Sequence, residues 1–150
     1  MDNLIIKQKL IHTCEKLQKE KIDALQSAMD EAQQAANEYG GPKDRYDSFR
    51  MQQLNKKDMF ANQLQKANSE FIALEKIKEI ISIKKVEYGA VVHTDTQKLF
   101  ISIGLGKVEL DNDVYYAISP NVPIFEAMKG LKKNDTFTFR GKKSKIIDVF

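Results

Sequence analysis

Apolar and small residues return at Leu4, Ile11, Cys14, Leu25, Ala28, Ala32 and Ala35, and again at Phe60, Leu64, Ala67, Phe71, Leu74 and Ile81, with charged residues between them. Many of the steps are three or four, which places each series on one face of an amphipathic helix with a coiled-coil seam. Between residues 1 and 82, Gly and Pro occur only at Gly40, Gly41 and Pro42, so two long helices are broken once. If they fold back on each other near Pro42–Lys43, the residue numbers of facing positions must sum to a constant. The pairs Leu25/Phe60, Cys14/Phe71, Ile11/Leu74 and Leu4/Ile81 all obey that demand. The pattern therefore predicts an antiparallel helical hairpin with its tip near 40–47. At 1.5 Å per residue each arm is about 55 Å long, enough to hold the tip away from the rest of the chain. Ala32, Ala35 and Ala36 would keep the tip slim.

After residue 82 the period changes. Ala90–His93, Leu99–Ile103, Lys107–Leu110, Val114–Ile118, Thr136–Arg140 and Lys145–Val149 are short β-branched or aromatic runs. Asp111-Asn112 and Arg140-Gly141-Lys142-Lys143 have hairpin-turn chemistry. One helix interrupts the strands, opening at Pro123, carrying Ile124, Ala127 and Met128, and ending at Gly130. The predicted fold class is α+β, with a coiled-coil hairpin over 1–82 and a small sheet domain with one helix over 83–150.

Composition limits what this architecture can do. Hydrophobic residues make up 42% and charged residues 30% of the chain, enough apolar material for a core. The net charge is only +3, so another protein is the expected partner in preference to nucleic acid. The lysines at 129, 132, 133, 142, 143 and 145 gather around turns and read as a solvated rim, with no interleaved aromatics to stack on bases. Cys14 is the only cysteine, which leaves no internal disulfide and no multi-cysteine zinc site. It falls on the seam as a small hydrophobe. Without a signal-like N-terminus or a run of about 20 apolar residues, a soluble, cytoplasmic chain without membrane contact is expected.

Most enzyme chemistries lack their residues. His12 and His93 belong to no metal-spaced set, and there is no nucleophile elbow, P-loop or dinucleotide fingerprint. Gly104-Leu105-Gly106 is a turn. Asp44 and Asp47 remain, three residues apart at the start of the second helix, where both carboxylates leave one side of the tip. Such acids commonly serve as N-caps and complement the helix dipole. They can equally present hard oxygens to Mg²⁺, as part of a site whose other ligands a partner supplies.

The tip sequence KDRYDSFR, together with the stretch from Ile118 through Ser119, Pro120, Asn121, Val122 and Pro123 to Gly130 and Asn134-Asp135, resembles the bacterial Gre (GreA/GreB) transcript cleavage factors over nearly the whole chain. Pro123, Ile124, Ala127, Gly130 and Asp135 match that family's C-terminal signature. Asp47 stands where a glutamate is usual, and Val122, Leu131 and Asn134 replace a serine, a lysine and a glycine. The resemblance implies an FKBP-like C-terminal domain that docks on RNA polymerase, around Ser119, Pro120, Asn121, Pro123, Ile124 and Ala127. It implies a hairpin entering the secondary channel, with Asp44 and Asp47 acting in trans on Mg²⁺ shared with the polymerase at the RNA 3′ end. The factor would have no cofactor and no enzyme activity of its own, and would be a monomer. A channel binder that regulates transcription without cleavage, a prolyl isomerase and a plain coiled-coil scaffold are the alternatives.

Overall fold

The computed structural model describes residues 2–38, 48–80 and 82–150. It has the expected class: two long helices, α1 (Asn3–Glu38) and α2 (Ser48–Ile77), followed by a six-stranded sheet and one short helix. The chain divides into two compact units, Gln18–Phe71 and Met1–Leu17 with Ile72–Phe150. This partition is not the sequence division at residue 82, because the feet of both helices pack into the same core as the sheet.

Within Gln18–Phe71, α1 and α2 run antiparallel. The Gln18 Nε2 donates to the Ala67 carbonyl at 2.9 Å, and that pair obeys the same constant sum as the predicted seam. Ala32, Ala36 and Ala67 are buried, so the backbones approach closely where side chains are smallest. On the solvent face, Gln26 and Gln33 donate one helical turn ahead to Asp30 and Asn37.

In the other unit the strands are β1 (Val91–Thr94), β2 (Lys98–Ile101), β3 (Gly106–Leu110), β4 (Asp113–Ile118), β5 (Thr136–Phe139) and β6 (Lys142–Val149), with α3 (Pro123–Met128) between β4 and β5. Three local hairpins are laid side by side in the order β3-β4-β2-β1-β6-β5. They join through a parallel β2–β4 pairing and an antiparallel β1–β6 pairing. On one face Val91, Phe100, Val108 and Tyr115 meet Leu10, Ile11, Cys14, Leu74 and Ile77 from the helix feet. On the other, Val92, Leu99, Ile101 and Ile146 meet Val86 and the α3 residues Phe125 and Met128. Full burial of a leucine or isoleucine such as Leu10, Leu74 or Ile77 stabilises by about 1.5–3 kcal/mol each.

Three sequence expectations are corrected. The sheet is covered on both faces, not only by α3. Tyr116, one of the aromatics that the sequence alone assigns to the core of the small C-terminal domain, is 41% exposed because it follows the buried Tyr115 on β4 and so points to the opposite face. Lys142 and Lys143, expected in a turn, open β6. Arg140 (φ 52) and Gly141 (φ 77) form a two-residue turn, so Phe139 pairs directly with Lys142.

Candidate functional site

The tip acids Asp44 and Asp47 lie outside the described residues, as do the rest of 39–47. What flanks the tip is defined. Ala36 is among the last residues of α1, whose carbonyls lack partners within the helix. The Arg50 guanidinium, from the first turn of α2, donates to that carbonyl at 2.9 Å. Each end of the break is thereby tied to the other helix by a charge-assisted bond. Among the described residues there is no group of three or more His, Cys, Asp or Glu that could hold a metal ion.

The segment expected to dock on a partner is fully described, and each signature residue has a local structural reason. The Ser119 Oγ accepts the Asn121 N–H at 3.3 Å, turning the chain after β4. Pro123 opens α3 at a position where its missing N–H costs nothing, since the first N–H groups of a helix have no acceptor within it. Phe125 and Met128 face the core, while Ile124 and Ala127 are half-buried against the same cluster. Asn121 and Pro123 are exposed, and Ser119 and Pro120 are half-exposed. Gly130 (φ 79) then reverses the chain, donating to the Val86 carbonyl at 2.8 Å. Asn134, which stands where the signature has glycine, also has a left-handed backbone (φ 77), and asparagine tolerates that conformation better than most side chains. The Asp135 carboxylate closes the turn by accepting the Lys132 N–H at 2.8 Å.

Other chemistry-bearing groups are accounted for by packing. Burial pushes the Cys14 thiol up to about 12, with the Glu15 carboxylate adding to the rise, so it is held as the unreactive thiol. His93 sits on β1 with its Nε2 3.1 Å from the Tyr115 hydroxyl and its ring edge-on to Phe150. Burial lowers its basicity and nearby Lys98 lowers it further, against weaker opposition from Asp148 and Asp113. A hollow of about 190 Å³ lies beside β5, lined in part by Ile124, Phe137 and Phe139. This is below the roughly 300 Å³ at which small-molecule pockets usually begin.

The seam residues Leu10 and Gln18, both fully buried, were missing from the predicted stripe. Leu10 could have been found, since it precedes Ile11 and widens the apolar face where a sheet covers it. Gln18 gives no such signal, because glutamine on a helix is ordinarily solvated.

No family model and no curated protein matches the chain. Two solved structures share its arrangement at 16% identity. One, of the transcription factor Gfh1, covers 91% of this chain and 93% of its own with a TM-score of 0.34. The other, a crystal structure of GreA factor homolog 1 (Gfh1) from Thermus thermophilus, covers 91% and 94% with a TM-score of 0.33.

Proposed function

We propose that this chain is a Gre-type accessory factor that binds RNA polymerase and stimulates the polymerase's own hydrolysis of backtracked RNA. The observation that carries the reading is a sequence resemblance in two separate places: a pair of acids at the break between two long helices, and a C-terminal signature. In the latter, the structural demands at Pro123, Gly130, Asn134 and Asp135 are those the signature residues meet.

Under this reading the sheet domain docks through the exposed side of Ser119, Pro120, Asn121 and Pro123, with Ile124 and Ala127 shaping the surface beneath. The helical hairpin enters the secondary channel. Two carboxylates fall short of the six oxygens Mg²⁺ takes, so Asp44 and Asp47 suit a partial site completed by the polymerase and water. The bound ion would make a water nucleophilic near neutral pH. The chain's own contribution is to position two oxygens and the helices behind them. It contributes no catalytic centre alone.

The test is RNA shortening in stalled, backtracked polymerase complexes, with polymerase binding measured in parallel. Wild type should accelerate shortening, and Asp44→Asn or Asp47→Asn should each lower the stimulated rate by about a hundredfold while leaving binding intact, as for loss of a metal-positioning group worth several kcal/mol. If wild type binds polymerase and RNA length does not change, the chain is a channel-binding regulator without cleavage. If it does not bind, the reading falls altogether.

A further inference from the structure

The chain carries Lys+Arg 24 against Asp+Glu 21. Between Lys129 and Lys145 there are seven cations and one carboxylate, Asp135, so the other 133 residues hold 24 − 7 = 17 cations against 21 − 1 = 20 acids. All of the net positive charge is therefore in one stretch of α3–β5 turn and β5–β6 hairpin. Asp135, the one carboxylate in that stretch, accepts the Lys132 N–H at 2.8 Å. Among the described residues, none of these seven cations forms an ion pair.

Two of the lysines share one face of the β5–β6 hairpin with two hydroxyls. A sheet edge is often protected by lysines along the edge strand itself. Here the edge strand β5 carries none, and its exposed positions are Thr136 and Thr138. Lys143 and Lys145 rise instead from the first half of β6, which pairs with β5, whereas the β1 pairing covers Ile146 to Val149; the Lys145 N–H donates to the Asp95 carboxylate at 3.1 Å. The register puts Lys143 opposite Thr138 and Lys145 opposite Thr136, all four exposed on one face, while Phe137 and Ser144 are buried on the other. The two ammonium-bearing positions are about 6.8 Å apart along the strand. That is comparable to successive phosphates of an extended single strand. Each has a hydroxyl beside it, a second common phosphate donor. Arg140 lies over the Phe139 ring at 5.0 Å, so this aromatic is already stacked and a base has no free platform there.

We propose that the outward face of the β5–β6 hairpin binds the sugar–phosphate backbone of single-stranded nucleic acid, with Lys143 and Lys145 contacting adjacent phosphates and no base readout. This proposal does not depend on the role assigned to the hairpin tip. It goes beyond the sequence reading of these lysines as a solvated rim: what the sequence could not show was the register that sets two of them on one face beside two hydroxyls.

The test uses the full chain and fluorescently labelled oligouridylate and oligothymidylate of about 16 nucleotides, a length that spans a typical single-strand site, read by anisotropy over about 50–200 mM salt. Wild type should bind both oligomers. Lys143→Gln/Lys145→Gln should weaken binding at least about fivefold and lower the salt slope by about 1.4, or 0.7 for each lost phosphate contact. Lys16→Gln/Lys19→Gln, which removes the same charge from exposed positions on α1, should stay within about twofold. Thermal unfolding of each variant, followed by circular dichroism, separates loss of contact from loss of fold, and Lys143→Arg/Lys145→Arg, which keeps the charge, should restore binding. The proposal is overturned if wild type fails to bind at the lowest salt, or if the α1 control loses as much as the hairpin variant. It is also overturned if the hairpin lysines retain an acidic peptide but not the oligonucleotides, which would make the face a protein-docking surface.

Discussion

Replacing Gln18 by leucine should make the protein more stable, although it deletes a buried hydrogen bond. Gln18 is fully buried. Its Nε2 donates to the Ala67 carbonyl at 2.9 Å, but among the described residues its Oε1 has no partner. A buried acceptor left unsatisfied costs about 1–3 kcal/mol, whereas the net value of the bond that is made is about 1 kcal/mol. The Ala67 carbonyl lies inside α2, so it keeps its own intrahelical donor when Gln18 is removed. Leucine and glutamine have nearly equal helix propensities, and leucine is close in size. The balance favours Gln18→Leu by about 1 kcal/mol. Gln18→Ala removes the bond and leaves a void, and should cost about 2 kcal/mol. Urea unfolding followed by helical circular dichroism reads both changes, with a shift of about 0.5 M in midpoint expected for the leucine variant. If Gln18→Leu destabilises by more than about 1 kcal/mol, the free Oε1 is in reality satisfied and the reasoning fails. A polar group that lowers stability at a seam commonly sets register, so the leucine variant should also populate slipped pairings, visible as a broader transition.

Four further outcomes follow from other parts of the molecule. Gly89→Ala should destabilise by about 1–2 kcal/mol, because Gly89 has φ 92, a backbone conformation that a Cβ strains, while the Ile80 Cδ1 that the Cβ would meet at 2.9 Å can turn aside; equilibrium unfolding measures it. Asn134→Gly should stabilise by a few tenths to about 1 kcal/mol at its left-handed position, read as a raised melting temperature. His93 has a lowered folded pKa, so the unfolded chain binds the proton first. Stability is therefore fully present above the unfolded value near 6.5 and falls as pH drops from there toward the folded value, and His93→Gln should flatten that slope in unfolding curves between about pH 7 and 5. Cys14, buried and with its pKa near 12, should react with a thiol reagent at pH 8 only at the rate of opening, and promptly in denaturant.

The elements most legible from the sequence are those whose signal is periodic or local. The constant sum across the two stripes anticipated a pairing that the Gln18–Ala67 bond later supplied, because helix periodicity survives single-residue exceptions. Pro123 and Gly130 bounded α3 closely for the same local reason, fixed φ at one end and positive φ at the other. The contacts of the helix feet were not legible. Leu10, Leu74 and Ile77 reach a sheet whose partner residues, Val91 to Tyr115, are distant in sequence, and a pattern read along the chain has no term for that. Leu4 shows the converse: it continues the predicted stripe yet is 58% exposed, since periodicity reports which face a residue is on and not whether anything covers it. For the proposed site the sequence reading is all there is at Asp44 and Asp47. At Ser119 to Ala127 the structure adds which side chains are turned inward.

The stitching of the sheet has a kinetic consequence. Its three ribbons each close through a short loop, which takes microseconds, but the β1–β6 seam joins residues such as Val92 and Val149, and no local turn assists it. Loop-closure entropy must be met before that seam returns any contact, so its formation should limit the rate of folding. Side-chain truncations along Val92 and Val149 are then expected to slow refolding, whereas equally costly ones inside the β3–β4 ribbon should chiefly hasten unwinding of the native state.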